Sequence, residues 1–292
     1  MIGGAMIRLK LSLELNYEIL QPNCDFIFNI HAAHTRSQTV LQENLFINQP
    51  VTPNMYSDPL TGNRYMRITA FPGPIKLIYT ATIDLAHHMM PPQLLPEVPI
   101  AQLPAMALNY IYPSRYCQSD RLQKLARREF GHLWQGHSRV QAVQEWVRQR
   151  VTFTSGGSNA STSAIDTLIE QVGVCRDFAH VMIALCRALN IPARFATGVD
   201  YGADPALGPQ DFHAYVEVYL GDRWYIFDPS GLAIPMGFVR FGTGHDAADS
   251  AFATIFGTVN SQSPIINLEA INDPANNYFV PYRCSDALST DA

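Results

Sequence analysis

Cysteine is scarce in this chain: five residues in 292, at positions 24, 117, 175, 186 and 284, with no Cys-x-x-Cys pair among them. An odd number at wide spacing argues against a disulfide framework and against a zinc site. A reducing compartment follows, and it suits a free reactive thiol. Charge is sparse too, at 15% of residues, and 20 Lys+Arg against 25 Asp+Glu leave a net −5. That balance offers no basic field to recruit nucleic acid. No apolar stretch approaches the length needed to span a membrane. The first residues, Met1-Ile2-Gly3-Gly4-Ala5-Met6, lack the basic segment and apolar run of a signal peptide. The expectation is a cytoplasmic protein that engages neither a membrane nor nucleic acid.

Apolar residues, at 47%, are ample for a globular core, and the length suggests about two domains. Residues 8–15, Arg-Leu-Lys-Leu-Ser-Leu-Glu-Leu, alternate strictly and read as a strand with its leucines on one face. Further strands are expected over Asp25–Ala32, Val40–Ile47, Arg64–Phe71 and Ile75–Asp84, separated by Pro/Gly/Asn turns. This spacing predicts an antiparallel β domain over residues 1–104, ending in a proline-rich extended linker from Pro91 to Pro104. Its histidines, His31, His34, His87 and His88, are not spaced as ligands: neighbours on a strand face opposite ways and no carboxylate motif surrounds them. No metal is expected there.

Residues 105–292 carry helical patterns. Ser119-Asp120 can cap a helix over Arg121–Leu133, and Ser138 one over Arg139–Val151. Their cations, Arg121, Lys124, Arg127, Arg128, Arg139, Arg148 and Arg150, read as a solvated face. Thr154–Ser163 is small and polar, a flexible connection more than a substrate-facing rim. A short helix over Ala164–Gln171 then leads to the stretch that carries chemistry.

In Gly173-Val174-Cys175-Arg176-Asp177-Phe178-Ala179-His180, a glycine turn puts Cys175 at the first turn of a helix whose apolar stripe is Phe178, Met182, Leu185 and Leu189. Free N–H groups and the helix dipole at that position favour a thiolate, the nucleophilic form. Cys186, further along, reads as core filler. Ile191–Val199 is a buried strand, and Asp200–Gln210 a Gly/Pro-rich loop placed to line a cleft. Asp211–Leu220 alternates, Gly221-Asp222 forms a two-residue turn, and Arg223–Pro229 returns. That turn sets Leu220 opposite Arg223, Tyr215 opposite Asp228 and His213 opposite Ser230, leaving His213 and Asp228 as diagonal neighbours on one face. Nucleophile, base and orienting carboxylate are then Cys175, His213 and Asp228. Tyr215 and Trp224 share that hairpin face and read as packing. His180, one and a half turns from Cys175, is poorly oriented to be the base.

These three segments, in this order, resemble the transglutaminase-like superfamily in its bacterial branch. The likeness runs from roughly Ser114 to Gly257, with Gly244-His245-Asp246-Ala247-Ala248-Asp249 similar to a family segment after the triad. Residues before it resemble the β-rich region that often precedes this core in bacteria. The resemblance implies an α+β fold: a papain-like core in which the cysteine helix packs on an antiparallel sheet, preceded by the N-terminal β domain. It also implies a Cys–His–Asp triad at Cys175, His213 and Asp228. The superfamily spans transglutaminases, peptidases, deglycosylating amidases and members without known activity. Arg176 stands where animal transglutaminases commonly carry tryptophan, and neither their extra β-domains nor a calcium loop is recognisable. The expected function is therefore a cysteine-dependent amide hydrolase, a peptidase or amidase acting through an acyl-enzyme on a peptide or protein, with no cofactor. Acyl transfer from glutamine to an amine and a non-catalytic binding module are the alternatives.

Overall fold

A computed structural model of the chain describes residues 6–202 and 210–290. The first strand, β1 (Ile7–Ile19), has the alternation the sequence promised: Leu9, Leu11, Leu13 and Leu15 are buried and the residues between them are less so. It is followed by β2 (Cys24–Phe28), β3 (Gln38–Ile47), β4 (Asn54–Ser57), β5 (Arg64–Ala70), β6 (Gly73–Leu85) and a short β7 (His88–Met90). β1 and β6 pair antiparallel along their whole length, and β3 lies on the other side of β6. The second sheet sets β5 between β2 and β4. The stretch between the expected strands Val40–Ile47 and Arg64–Phe71 also holds β4, whose four residues are all exposed at a sheet edge.

Four helices follow a single turn, α1 (Ala105–Leu108): α2 (Ser119–Phe130), α3 (His137–Arg150), α4 (Ala164–Glu170) and α5 (Cys175–Ala188). Two-residue strands β8 (Thr152–Phe153) and β9 (Val172–Gly173) pair in parallel on either side of α4. Next come β10 (Ala193–Asp200), β11 (His213–Leu220), β12 (Arg223–Phe227) and β13 (Phe238–Gly244), an antiparallel sheet in the order β12-β11-β10-β13. All eight residues of β10 and of β11 are buried, because both faces of this sheet are covered. Ala214, Val216 and Val218 belong to the core built on α5, whereas Tyr215, Ala196 and Val199 belong to the core of the N-terminal sheets. The fold class is thus α+β, with a transglutaminase-like arrangement of helix on antiparallel sheet and a β domain before it.

The chain does not stay on one side of residue 104. Strands β14 (Ala253–Phe256), β15 (Val259–Ser261) and β16 (Ile265–Ile271) return to the first hundred residues: β14 pairs with β2, and β15 and β16 with β1. A last strand, β17 (Ala287–Ser289), pairs with β7. The segment expected as an extended linker is docked. Leu95 is buried, the Leu95 carbonyl accepts the His137 N–H at 3.0 Å, and Pro96 accepts the Gly221 N–H at 2.9 Å. Glu97 holds Arg139 in an ion pair, so this arginine is buried rather than part of a solvated face. Cys186 is fully buried in the α5 core. Among the described residues, no helix is long and apolar enough to cross a membrane.

One continuous core joining both halves predicts one cooperative unfolding event. Phe26 is buried, with its ring 5.1 Å from Phe28 and 5.2 Å from Tyr17. Phe26→Ala is expected to cost about 3–5 kcal/mol. In urea, followed by tryptophan fluorescence (Trp134, Trp146 and Trp224 all lie beyond residue 104), its midpoint should fall in step with far-ultraviolet dichroism. An unmoved fluorescence midpoint would show that the two halves unfold independently.

Candidate active site

Helix α5 starts at Cys175 because the residues before it are fixed by Asp177. The Asp177 carboxylate, fully buried, turns back to accept the Val174 N–H at 2.9 Å, satisfying a donor that the first helical turn cannot. This return explains Gly173. Its φ is not in the left-handed region; a Cβ there would lie 2.8 Å from Asp177 Cβ. The left-handed residue of the turn is Gln171, at φ 58°. Asp177 also accepts the Ser158 hydroxyl, and Arg176 Nη2 donates to Asp177 Oδ1, Ser158 Oγ and the Asn159 carbonyl, each at 2.9 Å. The small-polar loop expected as a flexible connection is thereby tied to the start of α5. Ser155, Gly156 and Ala160 form part of the wall of a cleft of about 850 Å³ that also holds Cys175 and His213.

His213 is the first residue of β11, opposite Gly198 of β10. The hairpin has the expected register, with Leu220 paired to Arg223 and Val216 to Phe227. Asp228 follows the last residue of β12. Its Oδ1 lies 3.4 Å from His213 Nε2 and accepts the Ser230 hydroxyl at 2.6 Å and N–H at 3.0 Å, while Oδ2 accepts the Ala233 N–H at 3.3 Å. Cys175 reaches the same place from α5: its Sγ lies 3.9 Å from the Phe212 carbonyl, and the Ala214 backbone bonds the sulfur. The cysteine thus rests against the two residues flanking His213, with its own hydrogen bond to a carbonyl and not to the imidazole.

A residue read from the sequence only as the start of a cleft-lining loop completes the group. Asp200, the last residue of β10, places Oδ2 3.3 Å from His213 Nδ1, and its Oδ1 accepts the Tyr215 hydroxyl. The signal was an acidic residue at the end of an otherwise apolar buried strand, which is an expensive place for a carboxylate without a partner. The rest of the loop after it, residues 203–209, expected to line the cleft, lies outside the described residues.

The electrostatics reverse one expectation. Burial pushes the Cys175 thiol up to about 12; the Ala214 backbone opposes this, and Asp211, Asp200 and Asp228 add to it. Desolvation and three carboxylates therefore oppose the thiolate that a helix start favours. Burial would lower the His213 imidazole, but Asp200 and the Asp228 hydrogen bond outweigh it and raise it to about 9. Burial raises Asp200 to about 6. Burial would raise Asp228 as well, but the hydrogen bond and charge of His213 hold it below the ordinary carboxylate value.

A profile of the transglutaminase-like superfamily matches residues 123–229, and one of the bacterial transglutaminase N-terminal domain matches residues 7–106. A crystal structure from Cytophaga hutchinsonii, named as a "Putative Cysteine Protease", has a TM-score of 0.90 at 39% identity over 97% of each chain. This chain belongs to the transglutaminase-like superfamily. An uncharacterized protein of Mycobacterium leprae is 28% identical over 117 residues, 38% of this chain and 42% of that protein. One of Bacillus subtilis is 27% identical over 165 residues, 48% of this chain and 22% of that protein. The chain spans less than half the length of these curated relatives.

Other residues of this transglutaminase-like chain are structural. His180 is buried and stacked on Tyr116, its ring centroid 5.0 Å away, and its Nε2 accepts the Ala247 N–H at 3.2 Å; burial lowers it to about 4. Trp224 packs between Tyr110 and Tyr219, away from the cleft. The Gly244–Asp249 segment is a tie: Asp246 accepts the Tyr116 N–H at 2.8 Å, and the Tyr65 hydroxyl donates to the Asp249 carbonyl. Among the described residues no cluster of three or more His, Cys, Asp or Glu is arranged to hold a metal.

The imidazole supplies a pH test. A histidine raised from 6.5 in the unfolded chain to about 9 in the fold stabilises fully below about pH 6.5, and loses that contribution as pH rises through 9. The buried His31, His87, His137 and His180 are lowered to about 4 and stay neutral throughout that window. Stability should therefore fall between about pH 6.5 and 9, by on the order of 3 kcal/mol. In His213→Gln that slope should vanish. Parallel slopes in urea titrations of the two proteins would place the charge elsewhere.

Proposed function

We propose that this protein is a cysteine-dependent amide hydrolase, with Cys175 as nucleophile, His213 as acid and base, and Asp228 as the carboxylate that orients the imidazole. The observation that carries this reading is that Cys175 of α5 and His213 of β11 share one cleft, with Asp228 after β12 beside the imidazole. The backbone flanking His213 touches Cys175 Sγ, and the imidazole lies 3.4 Å from Asp228. A buried imidazole beside a carboxylate, in the cleft that also holds a thiol, supplies the groups that acyl transfer needs.

Solvent hydroxide takes the Cys175 thiol proton, and the thiolate formed beside the His213 imidazolium attacks the amide carbonyl carbon as the carbonyl electrons move to oxygen. The Cys175 N–H, at the first position of α5, has no intrahelical partner and is a donor for that oxyanion. His213 gives its Nδ1 or Nε2 proton to the leaving amine as the C–N bond breaks, and a thioester remains on Cys175. His213 then takes a proton from water, whose oxygen displaces the thiolate and releases the carboxylic acid. The aromatic wall of the cleft, including Phe153, Phe195, Phe212 and Phe252, fits a peptide with an apolar side chain beside the bond that is cut. The five cysteines, all free, suit a reducing, cytoplasmic setting.

Iodoacetamide labelling of each cysteine, read by peptide mass spectrometry between about pH 5 and 10, tests the nucleophile. Cys175 labelling should rise with pH and fall sharply in His213→Ala, where the thiolate has no imidazolium beside it, while the other cysteines are unchanged. Equal Cys175 rates in both proteins would remove His213 from the reaction. On peptide substrates, His213→Ala should lose about 10²-fold or more in turnover. Release of free acid marks hydrolysis; incorporation of an added amine into a glutamine peptide would assign transamidation instead.

A further inference from the structure

The triad of the proposed reaction accounts for one side of His213 only. Its Nε2 faces Asp228, but its Nδ1 faces a second carboxylate, Asp200 Oδ2, at 3.3 Å. Asp200 is buried and borders the same cleft as Cys175. Its Oδ1 accepts the Tyr215 hydroxyl, while Oδ2 accepts no hydrogen bond from the described residues and has the imidazole as its charge partner. A carboxylate oxygen kept dry in this way is costly unless a positive charge faces it. The groups facing His213 are Asp200 from β10, Asp228 after β12, Asp211 two residues before it, Tyr215 on its own strand and Cys175 from α5.

We propose, resting on the hydrolase reading above, that Asp200 is a positioning residue that restrains the nucleophile: it takes the Nδ1 side of the imidazolium and keeps Cys175 a thiol in the free protein. The Asp200 charge acts twice. It competes with the sulfur as counter-ion of His213, and it repels a negative charge forming on Cys175. Both effects act in the same direction, since a carboxylate near a thiol disfavours the thiolate while the imidazolium it holds is less available to stabilise one. Substrate binding that displaces or neutralises Asp200 then frees the imidazolium for the thiolate. Asp228, held by Ser230 and Ala233, keeps its place throughout.

The sign of this effect, together with its confinement to Cys175, separates it from a structural role. Asp200→Asn keeps the shape and an acceptor for Tyr215 but removes the charge. The pH midpoint of Cys175 alkylation should move down by about one unit or more. Loosened packing would lower it too, by letting water reach the sulfur, but would also open the buried Cys117 and Cys186 to alkylation, so those two must stay unlabelled. Tyr215→Phe, which leaves the Asp200 charge in place, should not lower it. A folded Asp200→Asn protein with an unchanged or higher midpoint overturns the proposal. If Asp200→Asn does not fold, Asp200→Ser, which also removes the charge, decides, and no downward shift there overturns it. His213→Ala, run beside them, distinguishes the two levels. If it leaves Cys175 labelling unaltered, the hydrolase reading fails; if it lowers labelling while Asp200→Asn shifts nothing, only the restraint fails.

Discussion

A two-residue turn at Gly221-Asp222 fixes how β11 lies against β12, and the site depends on it. Gly221 sits at φ 60°, the left-handed region that glycine enters freely. With Leu220 paired to Arg223, the strand period of two puts His213 and Asp228 on the same face. A register slip of one residue would send the imidazole and the carboxylate to opposite sides of the sheet. Everything else about the cleft is arranged around that pairing.

The same face is locked by buried charge further along the strands. Glu217 stands directly opposite Arg194, 2.6 Å from it, and also meets Arg240 at 3.1 Å and the Thr290 hydroxyl at 2.7 Å. Its two arginines hold this carboxylate down at about 2 despite burial. Such a cluster contributes less to net stability than to excluding other registers, since any slip strands charges in a dry interior. Gln38 of β3 then reaches across, its amide donating to the carbonyls of Ala33 and Arg240. The N-terminal sheets therefore brace the sheet that carries His213, and the returning chain at Phe252 lays its ring on Phe212 at 4.0 Å to complete the cleft.

Much of this was legible from local pattern. The leucines of β1, the stripe of α5 and the hairpin register are short-range properties, written in periods of two or 3.6 and in one turn dipeptide. What sequence could not show was set by distant partners. Strands β14 to β16 carry no mark that they belong with β1 and β2, because pairing across more than two hundred residues leaves no local trace. The role of Gly173 depends on where the Asp177 side chain folds. Asp200 looked like the start of a loop because the histidine it faces comes thirteen residues later, on another strand. The direction of the Cys175 shift was missed for a related reason: a helix start is visible in sequence, but the three carboxylates around the sulfur are not.

The central claim is that Cys175 is an acyl carrier served by His213 and Asp228. Mixing the protein with the activated ester p-nitrophenyl acetate, while following nitrophenolate release and intact mass, tests it without knowledge of the natural substrate. The account predicts a stoichiometric burst, an acetyl group mapped to Cys175, and loss of the burst in both His213→Ala and Asp228→Ala. Acetylation spread over other residues, or a Cys175 burst of equal size in both variants, would contradict it.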